Sequence, residues 1–146
     1  MSRASLVELT NLCVICDGSR VLVQDKTGCG VVFPGGHVEP GEPLLSSVIR
    51  EMREETGLTI EHPVLCGIKD WMRDDGTRFL VALYRADRFS GTLKSSEEGR
   101  VFWIEREEFA KLDTIWGMKD VLRVCDGADY SEMFYSEEKD DWVLLG

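Results

Sequence analysis

Strand-length apolar runs separated by turn-forming residues dominate the first third of the chain. Residues 6–16 are mostly apolar or β-prone, Asp17 and Gly18 interrupt them, and Val21-Leu22-Val23-Gln24-Asp25 resumes the pattern. Two strands joined by a hairpin turn are predicted. After a loop over 26–30, Val31-Val32-Phe33 reads as a short buried strand. Pro34-Gly35-Gly36 breaks it with residues that permit tight turning and close backbone approach to a ligand. Further strands are predicted over 64–71, 79–85 and 100–104, with Asp74-Asp75-Gly76 turning between the first two.

A different spacing takes over at residue 43. Proline is tolerated in a first helical turn, and Gly57 supplies a C-terminal stop, so a helix is predicted over 43–56, followed by an extended piece over 58–60. At about 100° per residue, Leu45, Val48, Ile49, Met52 and Thr56 fall on one side, the stripe expected to face a sheet. Helical spacing recurs over 105–112 and 115–124. The tail, 126–146, is acidic yet carries Tyr130, Phe134, Tyr135, Trp142 and Leu144, and is expected to pack in part. With no repeat, linker or low-complexity tract, the 146 residues read as a single domain of mixed α/β type.

Charge narrows the function. Seventeen Lys+Arg against 27 Asp+Glu leave a net charge of −10, the wrong sign for a protein that binds a nucleic-acid backbone. If such a chain handles phosphates, metal ions must mediate. No apolar run approaches the ~20 residues of a bilayer span, and residues 1–5 lack a secretory apolar segment, so a cytoplasmic, membrane-free protein is expected. Five irregularly spaced cysteines, Cys13, Cys16, Cys29, Cys66 and Cys125, read as reduced thiols. Cys13 and Cys16 have CxxC spacing but lie in a predicted strand, where residues three apart point to opposite faces.

On the predicted helix, Glu51, Glu54 and Glu55 fall together at i, i+3 and i+4. Three carboxylates within one turn repel each other and call for compensation. Taken alone, the cluster reads first as a solvated acidic face. As a ligand set, its hard oxygens, without His or Cys, select Mg²⁺ or Mn²⁺ over zinc. Arg50, one turn before Glu54, is placed to pair with it and orient the carboxylate.

The preceding loop makes the spacing specific. Five residues separate Gly36 from Glu42, and seven more lead to Arg50-Glu51-Met52-Arg53-Glu54-Glu55-Thr56-Gly57-Leu58. Residues 36–58 resemble, at every position, the box of the Nudix (MutT-like) hydrolases. The resemblance implies a Nudix-type α/β/α sandwich with a mixed β-sheet, cleaving a diphosphate linked to another group by attack of water at phosphorus. Carried over by motif position, Glu51, Glu54 and Glu55 ligate Mg²⁺ (Mn²⁺ as a substitute), helped by the Gly36 carbonyl, and Arg50 orients a glutamate. Glu51 is the first candidate for general base. Glu98 is its rival and a further metal ligand, because Glu98-Gly99 followed by Trp103 also looks like members acting on nucleoside triphosphates.

Other residues have plainer readings beside functional ones. His37, after Gly36, reads as a surface residue, with contact to a phosphate or the metal shell as the alternative; His62, before Pro63, reads as structural, and Glu97 as a weaker candidate than Glu98. Trp71, Phe79, Trp103 and Trp116 have faces suited to a nucleobase, although core packing is their default. Arg73, Arg78 and Arg100 are candidates for outer phosphates or for surface ion pairs. The expected partner is a small nucleotide, handled by a monomer or homodimer. The expected reaction takes a nucleoside triphosphate, of the oxidised 8-oxo-dGTP kind, to the monophosphate and pyrophosphate. ADP-ribose or nucleotide-sugar cleavage is the alternative, and an idle nucleotide-sensing Nudix module the alternative from another class.

Overall fold

The computed structural model describes residues 2–26, 28 and 30–146. β1 (Val7–Asp17) and β2 (Arg20–Asp25) form the expected hairpin, with Cys16 opposite Val21 and Asp17 opposite Arg20. β3 (Val31–Val32) follows on β2. Next comes β4 (Gly35–His37), where the sequence pattern pointed to a break; instead it pairs with β1, Asn11 opposite Gly36 and Leu12 opposite Gly35. The physical reason is clearance. A Cβ at Gly35 would stand 2.1 Å from the Asn11 carbonyl oxygen, so only glycine lets the two backbones come this close.

The remaining elements are α1 (Leu44–Thr56), β5 (Leu58–Glu61), β6 (Val64–Met72), β7 (Arg78–Ala86), β8 (Arg88–Gly91), β9 (Arg100–Glu105), α2 (Arg106–Phe109), α3 (Met118–Asp126), β10 (Glu132–Ser136) and β11 (Asp141–Leu145). The main sheet runs β11-β10-β6-β7-β1-β2-β3, with β4 also on β1 and β9 on β2. It is mixed: β1 pairs with β7, and β6 with β10, in parallel, while the other ladders are antiparallel. β5 and β8 make a separate two-stranded sheet.

The period-2 alternation of β1 divides the core. Cys13 and Ile15, with Leu22, Ala82 and Tyr84, pack beneath Val48 and Met52 of α1. Val14 and Cys16, with Val23 and Leu83, pack beneath Phe109 of α2 and Val121 and Val124 of α3. The result is the α/β/α sandwich expected from the resemblance. Cys13 and Cys16 do point into opposite layers, and with Cys66 and Cys125 they are free thiols; Cys29 lies outside the described residues.

Three boundaries differ from the sequence reading. The helix expected over 105–112 shrinks to Arg106–Phe109: β9 stays paired with β2 as far as Glu105 opposite Arg20, and after Phe109 the Lys111 and Leu112 amides turn back to Glu108 O and Phe109 O, three residues away. The helix expected from residue 115 begins at Met118, after Gly117 at φ 80°. The tail becomes a hairpin that extends the sheet, Met133 opposite Lys69 on one side and Leu144 on the other. Among the described residues no helix is long and apolar enough to cross a membrane.

Candidate active site

α1 is the element that presents the glutamates, and its ends explain its span. Pro43 is extended and accepts the Ser47 amide at 3.0 Å, while Gly57, at φ 79°, donates its amide to Arg53 O at 3.0 Å, a left-handed stop that glycine adopts without strain. Its buried residues are Ser47, Val48, Glu51, Met52, Glu55 and Thr56, whereas Leu45 is 48% exposed. The buried stripe is therefore rotated from the apolar one expected. Asn11 Nδ2 donates to Ser47 Oγ at 2.8 Å, and Glu51 lies against Gly36, so polar partners on β1 and β4 draw that side of the helix inward.

A cleft of about 500 Å³ opens beside this face. Glu51, Glu55, Glu98, Gly36, His37 and Asn11 line it together, with Trp71 of β6 and Phe79 of β7. Glu54 does not join them. Its side chain is 58% exposed and lines the adjoining groove with Arg53, Gly57 and Glu97. Geometry thus divides the trio into two inward carboxylates, one turn apart, and one at the rim.

Each inward carboxylate has its own setting. Burial pushes the Glu51 carboxyl above its ordinary range; the Arg50 guanidinium opposes the shift, and the neighbouring Glu54 and Glu55 add to it. Glu55 is held by Gln24 Nε2 at 2.8 Å and Ser96 Oγ at 3.3 Å. Neither Gln24, in the apolar run of β2, nor Ser96 was a sequence candidate; the run of Val21-Leu22-Val23 ending in a polar residue was the available signal for Gln24.

Arg50 does more than the helix spacing suggested. Besides Glu54 at 3.2 Å, it meets Glu51 at 3.0 Å, takes both oxygens of Glu42 at 2.8 and 3.0 Å, and donates to the His37 carbonyl at 3.0 Å. The fork ties the loop before the helix to the helix itself.

The residues present suit a hard divalent cation. All candidate donors are oxygens, and a Cβ at Gly36 would fall 2.3 Å from the Glu51 carboxylate carbon, so this glycine keeps backbone and carboxylate in one place. Asn11 Oδ1 and Gln24 Oε1 are buried acceptors without a protein donor beside these carboxylates. Among the described residues no three Asp, Glu, His or Cys side chains converge around a common point.

The other candidates scatter. His37 Nε2 pairs with Glu8 at 2.8 Å, and Arg73 with Glu8 at 2.7 Å. Arg78 binds the buried Asp70 at 2.6 Å, and Arg100 lies over Phe102. Trp103 packs on Phe89, away from the cleft, and Trp116 packs on Trp71 and Trp142. His62 is exposed, at φ 49°. Sequence reasoning missed Lys69: it is 4% exposed, lines the cleft, and gives no signal in the strand pattern beyond a lone charge between apolar residues.

The family model of the NUDIX domain matches residues 8–125. The chain is 36% identical over 123 residues to the uncharacterized Nudix hydrolase YvcI of Bacillus subtilis, covering 80% of this chain and 77% of that one. It is 27% identical over 113 residues to the phosphatase NudJ of Shigella boydii, covering 73% and 74%. A crystal structure of the MutT protein of Bacillus halodurans superposes with a TM-score of 0.73 at 28% identity, covering 95% of each chain. With its box on α1 and the strand before it, the chain belongs to the Nudix hydrolase family.

Proposed function

We propose that the chain hydrolyses nucleoside triphosphates in a Mg²⁺-dependent reaction, releasing the monophosphate and pyrophosphate, with an oxidised guanine nucleotide of the 8-oxo-dGTP kind as the leading substrate. One observation carries the reading. A single cleft joins an acidic end, formed by Glu51, Glu55, Glu98 and the Gly36 backbone, to an aromatic end, formed by Trp71 and Phe79. The first suits a cation-bridged phosphate chain and the second a flat base. Likeness to the MutT protein of Bacillus halodurans supports a hydrolase of the Nudix kind.

Glu51, Glu54, Glu55 and the Gly36 carbonyl are the groups proposed to hold the cation, with Glu98 as a further ligand or as the base. When bound, Mg²⁺ supplies charge neutralisation for phosphate oxygens and acidity to water. Glu51 is the first candidate to accept the proton of the attacking water, with Glu98 as its rival. Arg50 holds Glu51 and Glu54 in register with the loop and leaves two carboxyl oxygens fewer to wander. The work is proposed for the cytoplasm, on a free nucleotide.

The test is product analysis with Mg²⁺ and a panel of nucleoside triphosphates, 8-oxo-dGTP, ADP-ribose and a nucleotide sugar. Pyrophosphate with nucleoside monophosphate is expected. AMP from ADP-ribose alone would establish the diphosphatase alternative, and binding without turnover the sensing module.

A further inference from the structure

Lys69 occupies the aromatic end of the cleft, in the middle of β6 and opposite Val81. A lysine that is 4% exposed is unusual, and this one has no carboxylate at ion-pair distance among the described residues. Its Nζ donates to the Trp116 carbonyl at 2.6 Å and lies 5.1–5.8 Å from the ring centroids of Trp142, Trp71 and Trp116. Burial lowers its pKa to about 8, with Asp120 of α3 opposing the shift. An ammonium has three donors, and one carbonyl uses one.

The surroundings select what the remaining donors meet. Trp71 and Phe79 are stacked on each other at 4.4 Å and 13°, Arg73 lies over Phe79 at 4.8 Å, and Val81 and Met118 continue the lining, so this end is an apolar wall for the edge of a flat ring to lie against. A phosphate chain would be matched instead at the acidic end, through cations. Trp142, which closes the cage around Nζ, comes from the tail hairpin, beyond residue 125 where the NUDIX match ends. The device therefore combines the common fold with a segment outside it.

We propose that Lys69 reads the nucleobase: its ammonium donates to the O6 carbonyl of a 6-oxopurine lying against Trp71, Phe79 and Met118, and so selects guanine-type over adenine-type nucleotides. The chemistry is one of matched signs. Guanine and its 8-oxo form both present the O6 acceptor, whereas adenine presents an amino donor at that position, and a donor-only group cannot satisfy a donor. This assignment rests on the cleft being a nucleotide site.

Two measurements separate the assignment from the activity. The first compares kcat/KM for dGTP with that for 2-aminopurine deoxyriboside triphosphate, which lacks O6. The second titrates the tryptophan fluorescence with dGMP and with the 2-aminopurine monophosphate, and needs no turnover. Wild type is expected to prefer the O6-bearing ligand by about 10- to 100-fold in both. K69M, which fills similar volume without a donor, brings the ratio to within about threefold, and K69R restores part of it.

A ratio that K69M leaves intact overturns the assignment, as does a wild type that does not distinguish the pair. An equal loss for both ligands in K69M assigns Lys69 to holding the Trp116 loop and overturns it likewise. Lysine-dependent preference in the monophosphate titration, without hydrolysis of either triphosphate, upholds the base reader while refuting the proposed reaction.

Discussion

Arg50 grips Glu42 with two parallel hydrogen bonds, Nε to Oε2 at 2.8 Å and Nη2 to Oε1 at 3.0 Å, across eight residues of chain. The pair fixes the entry to α1 against the turn that carries Glu51 and Glu54. It also holds Glu42 below the usual carboxylate range, chiefly through the Arg50 bond and then through the Glu39 amide. Replacement of Glu42 by Gln is expected to lower kcat by about tenfold while the fold persists, since the guanidinium keeps its other partners. Steady-state kinetics with a circular-dichroism melt checks both halves. A lowered carboxylate stabilises the folded state above its unfolded pKa, so in wild type this contribution fades as pH falls below about 4.5, and the E42Q melt should show a shallower fall there.

The inward and rim carboxylates should separate in kinetics. Glu51→Gln and Glu55→Gln are each expected to lose about 10²–10⁴-fold in turnover. Glu54→Gln is expected to lose turnover too, by a smaller factor, because its side chain stands at the rim. Glu51→Gln should also melt higher than wild type, since it removes a desolvated charge from beside two like charges. Unimpaired rates in all three variants would remove the proposed metal site.

Cation binding has a signature apart from catalysis. Glu51, Glu54 and Glu55 repel in the metal-free chain, so millimolar Mg²⁺ is expected to raise the melting temperature of wild type and EDTA to reverse it. The rise should vanish in Glu51→Gln and Glu55→Gln. An equal rise in all three proteins would point to general screening rather than to this site.

The two glycines of β4 should respond differently to one methyl group. At Gly35 the added Cβ meets backbone, Asn11 O at 2.1 Å, which cannot yield without opening the β1–β4 ladder. At Gly36 it meets the Glu51 carboxylate at 2.3–2.5 Å, the movable end of a side chain. Gly35→Ala is expected to unfold or to melt far below wild type, and Gly36→Ala to fold but lose turnover through a displaced Glu51. Thermal melts and rates of both variants decide it.

Lys69 should leave a mark on stability at alkaline pH. Its pKa is about 8 in the folded chain against 10.5 ordinarily, so the unfolded chain binds more protons between these values and stability rises with pH across that window. The penalty is fully present below pH 8 and relieved above pH 10.5. Wild type minus K69M unfolding free energy should grow by up to about 3 kcal/mol over this range, measured by urea denaturation at fixed ionic strength. A flat difference would place the amine in a wetter setting.

The sequence by itself determined β1, β2, β6, β7, β9 and α1, and the chemistry that depends on local spacing. Alternation marked β1 and β2, and because residues three apart in a strand point oppositely, Cys13 and Cys16 could be sent to different layers. Fixed helical rotation put Glu51, Glu54 and Glu55 on one turn, and left Gly57 as its stop. Only the tertiary structure decided which of those glutamates face the cleft, because the orientation of α1 is set by Asn11 against Ser47 and by Gly36 against Glu51, contacts across 36 and 15 residues. It likewise turned the glycines of β4 into a paired strand and brought Trp142 from the tail over Lys69. Local pattern encodes which way a residue faces on its own element, whereas burial depends on what other elements bring to that face, and no short window of sequence contains that information.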